Sequence, residues 1–435
     1  MATDSTTVIE TVFRIEFPRL VAGLARYVND IGLAEELAQD ALVDALKQWP
    51  EEGTPRNPGA WLMTVAKRKA IDRIRRDRVR EDKHAQIATL APSAQLVPEY
   101  GLDDEIGDDR LRLMFVACHP VLSVPARVAL TLRLLGGLTT TEIARAYLVP
   151  EATIAQRIVR AKKTIAGANV PFEVPEGAEL AARLDSVLEV IYLVFNEGYS
   201  ATVGDQWLRP DLGMEALRLA RLLAALTPDA AEVHGLLALI EIQSSRNQAR
   251  VGRDGEPVLL LDQDRRRWDR LLINRGLSSL ERAHQLAPVP GPYTLQAAIA
   301  ACHARAFRAE DTDWTQMVAL YEQLASTMPS PIVELNRAVA LSMSAGPAAA
   351  LDLVDQLRDT QLLDRYHLLH SVRGDLLSQL NRHAEAHAEF ELAASLARND
   401  QERRLSRDRA DAMARLAEDP GPSAHDRDLP GSRRS

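Results

Sequence analysis

Cysteine is almost missing from this chain of 435 residues. It has two, Cys118 and Cys302, too few for a disulfide framework, so a reduced compartment is expected. Aromatic residues are sparse at 5%, which argues against sandwiches and barrels, whose strands favour rings and branched side chains. Long apolar runs are absent as well. Val190–Phe195 falls far short of the roughly 20 residues that a spanning helix needs. The opening Met1-Ala2-Thr3-Asp4-Ser5 has neither the basic nor the apolar region of a secretory leader. No glycine-rich phosphate loop and no defensible nucleophile–base pair occur. The expectation is a cytoplasmic protein that is not an enzyme, holds no cofactor or metal and has no membrane partner.

Alanine and leucine dominate an apolar fraction of 46%. That is enough for several buried cores, and both residues are strong helix formers. The expected fold class is all-α, in roughly two to four domains.

The formal net charge of −9 is unevenly spread. Residues 1–66 hold 5 Lys and Arg against 10 Asp and Glu, whereas residues 67–83 hold 9 against 4. Residues 84–109 carry six acids and no Lys or Arg, and residues 110–166 reverse this with 9 basic and 2 acidic side chains. The remainder is left at −10. Two compact basic segments inside an acidic protein suit local polyanion binding. Ordinary solvated helix faces are the plainer alternative.

Between Leu33 and Trp49, the residues Ala38, Leu42, Ala45, Leu46 and Trp49 recur at steps of three and four, which predicts one buried stripe. Glu36, Asp40 and Asp44 line the opposite side. Pro50, Gly53, Pro55 and Pro58 predict a loop that no helix crosses. A second helix is expected from Gly59 to Arg80, with Leu62, Ala66, Ala70 and Ile74 as its core face. Trp61, Val65, Arg68, Asp72, Arg75 and Arg76 then share the outer face. A ring among arginines suits nucleic acid, since guanidiniums meet phosphates and flat groups stack on unpaired bases. The Pro/Gly loop just before it can offer a pocket for an extruded base. On the plainer alternative, Trp61 tucks under a neighbouring helix.

A second constellation is sharper. In Gly137-Leu138-Thr139-Thr140-Thr141-Glu142-Ile143-Ala144, Thr139 and Glu142 have capping-box spacing and open a short helix ending near Leu148. Pro150 opens the next helix, where its missing N–H costs nothing. Ile154, Ile158, Ala161 and Ile165 form its buried stripe. Gln156, Arg160 and Lys163 project from the far side, with Thr153 and Arg157 on the flank. Two short helices with a tight joint, the second basic and polar outward, describe a helix-turn-helix. Gln and Arg can read purine edges while Lys and Arg neutralise phosphates.

Together these segments resemble the extracytoplasmic-function RNA polymerase sigma factors. Ala34-Glu35-Glu36-Leu37-Ala38-Gln39-Asp40-Ala41 looks like their polymerase-clamp helix. Asn57–Arg76 resembles the segment that recognises and melts the promoter element nearest the start site. Gly137–Lys163 is similar to the helix-turn-helix that reads the distal element. The resemblance implies polymerase binding by Glu35, Glu36, Gln39, Asp40 and Asp44. It implies proximal-element binding and melting by Asn57, Trp61, Lys67, Arg68, Asp72, Arg75 and Arg76. Distal-element binding falls to Thr153, Gln156, Arg157, Arg160 and Lys163. The implied partners are core RNA polymerase and promoter DNA, both as duplex and as unpaired non-template strand.

The resulting organisation is a sigma domain two over 1–83, an acidic flexible linker over 84–109 and a sigma domain four over 110–168. Beyond it, Gly374, Leu377, Ala386, Phe390 and Ala393 have the spacing of a tetratricopeptide repeat. Ala319-Leu320 and Ala350-Leu351 echo it imperfectly. A helical, tetratricopeptide-like domain is therefore expected over 178–417, serving regulation or docking of a regulatory protein, with a disordered tail over 418–435. Arg253–Pro257 and the apolar stretch after it read as an inter-helix connection. His383 and His387, at i, i+4, lack the rest of a zinc pattern, and Cys118-His119 and Cys302-His303 lack a second ligand pair. A rival function is an operator-binding regulator that never joins polymerase.

Overall fold

The computed structural model describes residues 2–85, 106–147, 149–199, 210–252, 258–397 and 400–418. Among them the regular structure is helical, as the composition requires, and it forms two compact units. One unit comprises residues 1–196 and 214–227, the other residues 197–213 and 228–435.

The first unit contains α1 (Ala2–Val28), α2 (Ile31–Glu52), α3 (Pro58–Ala85), α4 (Ile106–Ala117), α5 (Val124–Leu134), α6 (Thr140–Ala146) and α7 (Glu151–Gly167). Most of α8 (Gly177–Tyr199) and of α9 (Pro210–Leu226) also belongs to it. Helix α1 is central, packing on α2, α3, α4 and α5 through the buried Phe17, Leu20, Val21 and Leu24. Asp30 caps α2, its Oδ1 accepting the N–H groups of Gly32 at 2.7 Å and Leu33 at 2.9 Å. The expected break at Pro50 is corrected: α2 runs through it to Glu52. A proline in the last turn forfeits only one ladder bond. The stop is Gly53 at φ +85°, whose N–H closes on the Trp49 carbonyl at 2.9 Å.

Helices also take both ends of the acidic segment expected over 84–109, since α3 reaches Ala85 and α4 starts at Ile106. Residues 86–105 lie outside the described residues, as does Leu148. The first unit continues past the helix-turn-helix. In α8, Arg183 donates to the Phe115 carbonyl at 2.8 Å and Ser186 to that of Cys118 at 2.6 Å. Glu189 accepts from Arg127 at 2.9 Å, and in α9 Arg218 donates to the Leu135 carbonyl.

In the second unit, α10 (Ala231–Ser244), α11 (Arg270–Leu286), α12 (Pro292–Arg305), α13 (Trp314–Thr327) and α14 (Pro331–Ala345) pack as sequential neighbours. They continue into α15 (Pro347–Asp359), α16 (His367–Gln379), α17 (His383–Leu396) and α18 (Asp400–Glu418). The residues with repeat spacing form the α16–α17 pair: Leu377, Ala386, Phe390 and Ala393 are buried, and a Cβ at Gly374 would stand 2.9 Å from the Phe390 ring. Only glycine allows that approach. His387 hydrogen-bonds the Ala410 carbonyl at 3.0 Å, a packing role. Residues 253–257 and everything after Glu418 lie outside the described residues, so the expected tail does too.

Glu389 gathers charge inside the pair, with His370 Nδ1 at 2.8 Å and Arg373 Nη1 at 2.6 Å. Arg373 also donates to Asp355 at 2.8 Å, which ties in α15. The Glu389 hydrogen bond raises the His370 pKa. Burial pushes Glu389 up, but its bonds to His370 and Arg373 outweigh this and hold it below the ordinary carboxylate range.

Two expectations follow. Phe390→Ala, at a site 2% exposed, should cost about 3–5 kcal/mol, read as a lower denaturant midpoint. The His370 contribution is fully present below the ordinary histidine value of ~6.5 and is lost as pH rises through the raised value. The Glu389 contribution is present above ~4.3 and is lost as pH falls through the lowered value. Melts between these limits should therefore be the most stable, and His370→Gln should flatten the alkaline side.

Candidate nucleic-acid interface

Helix α6 is opened by the capping box that the sequence predicts. Thr139 N–H donates to Glu142 Oε2 at 2.7 Å, and Glu142 N–H donates back to Thr139 Oγ1 at 3.1 Å. Pro150 caps α7. The buried residues of α7 are Ile154, Ile158, Ala161 and Ile165, so the whole expected stripe is in the core. The opposite face follows from that burial: Thr153, Gln156, Arg160 and Lys163 are exposed and Arg157 is half-buried. Gln156, Arg157 and Arg160, with Ser123 before α5, line a shallow pocket of about 350 Å³.

Helix α3 presents Arg68, Asp72, Arg75 and Arg76 to solvent, with Leu62, Ala66 and Ala70 fully buried. Trp61 takes the plainer of its two expected places. It is half-buried, and its ring lies edge-on to Trp49 at 5.3 Å between centroids. Asn57 is exposed and accepts the Ala60 N–H at 3.1 Å, which caps α3. Lys67 is half-buried. The face thus offers a row of exposed arginines, with the ring set back at its edge.

On α2 the acidic set splits by environment. Glu36 and Asp40 are exposed, while Asp44 pairs with Lys69 of α3 at 3.0 Å. Glu35 is only 3% exposed. Its carboxylate accepts from Arg133 Nε of α5 at 2.6 Å and from Gln39 at 2.9 Å, and it pairs with Lys162 of α7. Arg133 also donates to the Leu138 carbonyl at 3.0 Å and stands 5.6 Å from the Phe17 ring centroid. Asp109 makes a second link, meeting Arg26 of α1 at 3.4 Å and Arg112 at 2.7 Å. In this arrangement Glu35 ties α2 to α5 and α7 and is almost wholly buried.

Apolar periodicity misplaces one residue. Leu46, expected in the buried stripe, is 38% exposed, beside Val43 at 46%. Both join the solvent face that carries Glu36 and Asp40. The steps of three and four left Leu46 on the stripe's margin, and no packing partner could be read from one helix. The Arg133–Glu35–Lys162 node also went unread. Its one trace is an arginine in the run Leu130-Thr131-Leu132-Arg133-Leu134-Leu135, a buried cation in need of an acid.

Three family models match the chain: sigma-70 region 2 over residues 13–80, sigma-70 region 4 over 112–165 and a family of unknown function, DUF6596, over 183–284. An uncharacterized protein of Rhizobium meliloti (strain 1021) is 44% identical over 409 residues, 91% of this chain and 94% of that protein. ECF RNA polymerase sigma factor SigK of Mycobacterium ulcerans (strain Agy99) is 29% identical over 142 residues, 32% of this chain and 74% of its own. SigK of Mycobacterium tuberculosis (strain H37Rv) is 26% identical over 150 residues, 34% of this chain and 78% of its own. The crystal structure of yeast Tom70 aligns with a TM-score of 0.37 at 12% identity, over 96% of this chain and 86% of that one, too slight a likeness to place the fold.

Removing Glu35 leaves two cations facing each other in a largely buried site. Glu35→Ala should cost about 3–5 kcal/mol and raise hydrogen exchange in α5 and α7. Asp40→Ala, on the exposed face, should leave both near wild type.

Proposed function

We propose that this chain, a member of the sigma-70 family in its extracytoplasmic-function branch, joins core RNA polymerase and directs it to a two-part promoter. The observation that carries the proposal is the division of α7, with its full apolar stripe buried and Gln156, Arg160 and Lys163 exposed. Such a helix lies in a major groove with its polar face on the base edges. Gln156 can pair with adenine and Arg160 with guanine, while Lys163 and Arg157 neutralise phosphates.

The exposed arginines of α3 then hold the unpaired strand by its phosphates. Asn57 and the edge of Trp61 border the place where a base leaves the stack, at a few kcal/mol per base. Glu36 and Asp40, with Val43 and Leu46 beside them, make the polymerase face. Glu35, held between Arg133 and Lys162, fixes α2 from behind that face. The second unit, acidic by sequence, carries regulation or the docking of a protein partner.

Run-off transcription with core polymerase and the full chain tests this. Asp40→Lys with Leu46→Asp should abolish transcripts while DNA affinity stays intact. Arg160→Ala should weaken promoter binding and lower the salt slope by about one. Gln156→Ala should cost about 1–3 kcal/mol and relax preference at one base. DNA binding without any capture of core polymerase would overturn the proposal in favour of an operator-binding regulator.

A further inference from the structure

Six side chains from four places in the second unit meet in one cluster. Tyr199 closes α8, Arg246 and Arg250 flank the turn after α10, Arg265 and Trp268 precede α11, and His303 lies near the end of α12. Cations and rings alternate through it. Arg250 stands 3.6 Å from the Tyr199 ring centroid, Arg246 stands 5.8 Å from Tyr199 and 5.7 Å from Trp268, and Arg265 stands 5.0 Å from Trp268. Cation–π contact accounts for the stacking. It does not account for the charge.

Three guanidiniums share this site, and among the described residues no carboxylate pairs with Arg246 or Arg265. Nearby acids are otherwise engaged. Asp264 binds Arg266 at 2.9 Å, and Asp269 caps α11 by accepting from Leu271 at 2.9 Å. Glu310 and Asp311 reach Arg265 only through longer-range attraction. Arg265 spends its terminal nitrogens on the carbonyls of His303 at 2.9 Å and Ala306 at 3.0 Å and on Thr312 Oγ1 at 3.1 Å. Arg246 donates to the Tyr199 hydroxyl, which donates on to Gln243 at 2.9 Å.

What is left over is a set of buried donors with no acceptor, Arg246 Nε, Arg265 Nε and Trp268 Nε1, beside His303 Nδ1, which has no hydrogen-bond partner either. A buried donor without an acceptor costs about 1–3 kcal/mol, and these gather around mutually repelling cations. Burial, with Arg246 and Arg265 alongside, drives the His303 pKa down to about 3, and burial first drives that of Arg250 to about 10.

We propose that this cluster is a binding site for a small oxyanion, a phosphate or carboxylate seated against Arg246 and completing the unpaired donors around Trp268. The ligand must be small, because Arg250, Arg265, Trp268 and His303 are each at least nine-tenths buried, and only Arg246 is half-open. A guanidinium fork matches the paired oxygens of either anion. The second unit thereby becomes a ligand-responsive module, a role independent of polymerase or promoter binding.

The test uses the full chain and no DNA. Inorganic phosphate and succinate are titrated at ionic strength matched with chloride, following melting temperature and tryptophan fluorescence. A filled site should raise the melting temperature by about 5 °C at a hundredfold excess over the dissociation constant. A response to phosphate alone identifies a phosphate site, one to succinate alone a carboxylate site, and both support the proposal. Arg246→Gln should abolish the response. Arg246→Lys, which keeps the charge but loses the fork, should weaken binding about tenfold and serves if the glutamine variant does not fold. No shift beyond chloride overturns the proposal, since the chain then compensates its own cations. A shift that survives Arg246→Gln overturns it too.

Discussion

The first unit depends on one carboxylate. Glu35 sits on the helix whose neighbours face solvent, yet it is withdrawn between Arg133 of α5 and Lys162 of α7. A lone buried charge is costly, and a paired one is tolerated only when its hydrogen bonds are met. Here Gln39 and Arg133 both donate to Oε1, and Lys162 meets Oε2 as an ion pair. The bond joins segments far apart in sequence and gives α7 two electrostatic roles. Lys162 turns inward to the acid, while Lys163 and Arg160 turn outward to solvent. The helix proposed to read DNA is thus held, on its other side, to the helix proposed to face polymerase.

The scarcity of rings has its own consequence. Alanine and glycine let helix axes come close, so the second unit is held by backbone proximity and by capping between helices. Glu232 of α10 accepts the N–H groups of Tyr293 at 2.8 Å and Thr294 at 3.2 Å, capping α12 from another helix. The few rings present act as fixed points, Phe390 over Gly374 and Trp268 among its arginines.

Much of the fold was legible in the sequence because it is written locally. The box at Thr139 and Glu142, the four-residue stripe of α7 and the repeat spacing from Gly374 to Ala393 each involve residues within a turn or a hairpin of one another. The failures share a cause. Pro50 inside α2, Leu46 at the surface and Glu35 in the interior were decided by what packs against α2, and periodicity does not contain that. The arginine cluster is the extreme case, built from positions spread between 199 and 303. Acidity on one helix face could not say which acid is withdrawn from it, and Glu35 is the one that packing takes inside.

The separation of Glu35 from its partners also sets an order of events during synthesis. Arg133 follows Glu35 by 98 residues in the chain, and Lys162 comes later still. At about 5–20 residues per second, the acid waits roughly 5–20 s for its first cation. Over that interval α2 can form, since Asp30 caps it from next door, but its inner side keeps a hydrated carboxylate that resists closure. The carboxylate stays hydrated until α5 and α7 leave the ribosome, and only then can α8 and α9 close over α4 and α5.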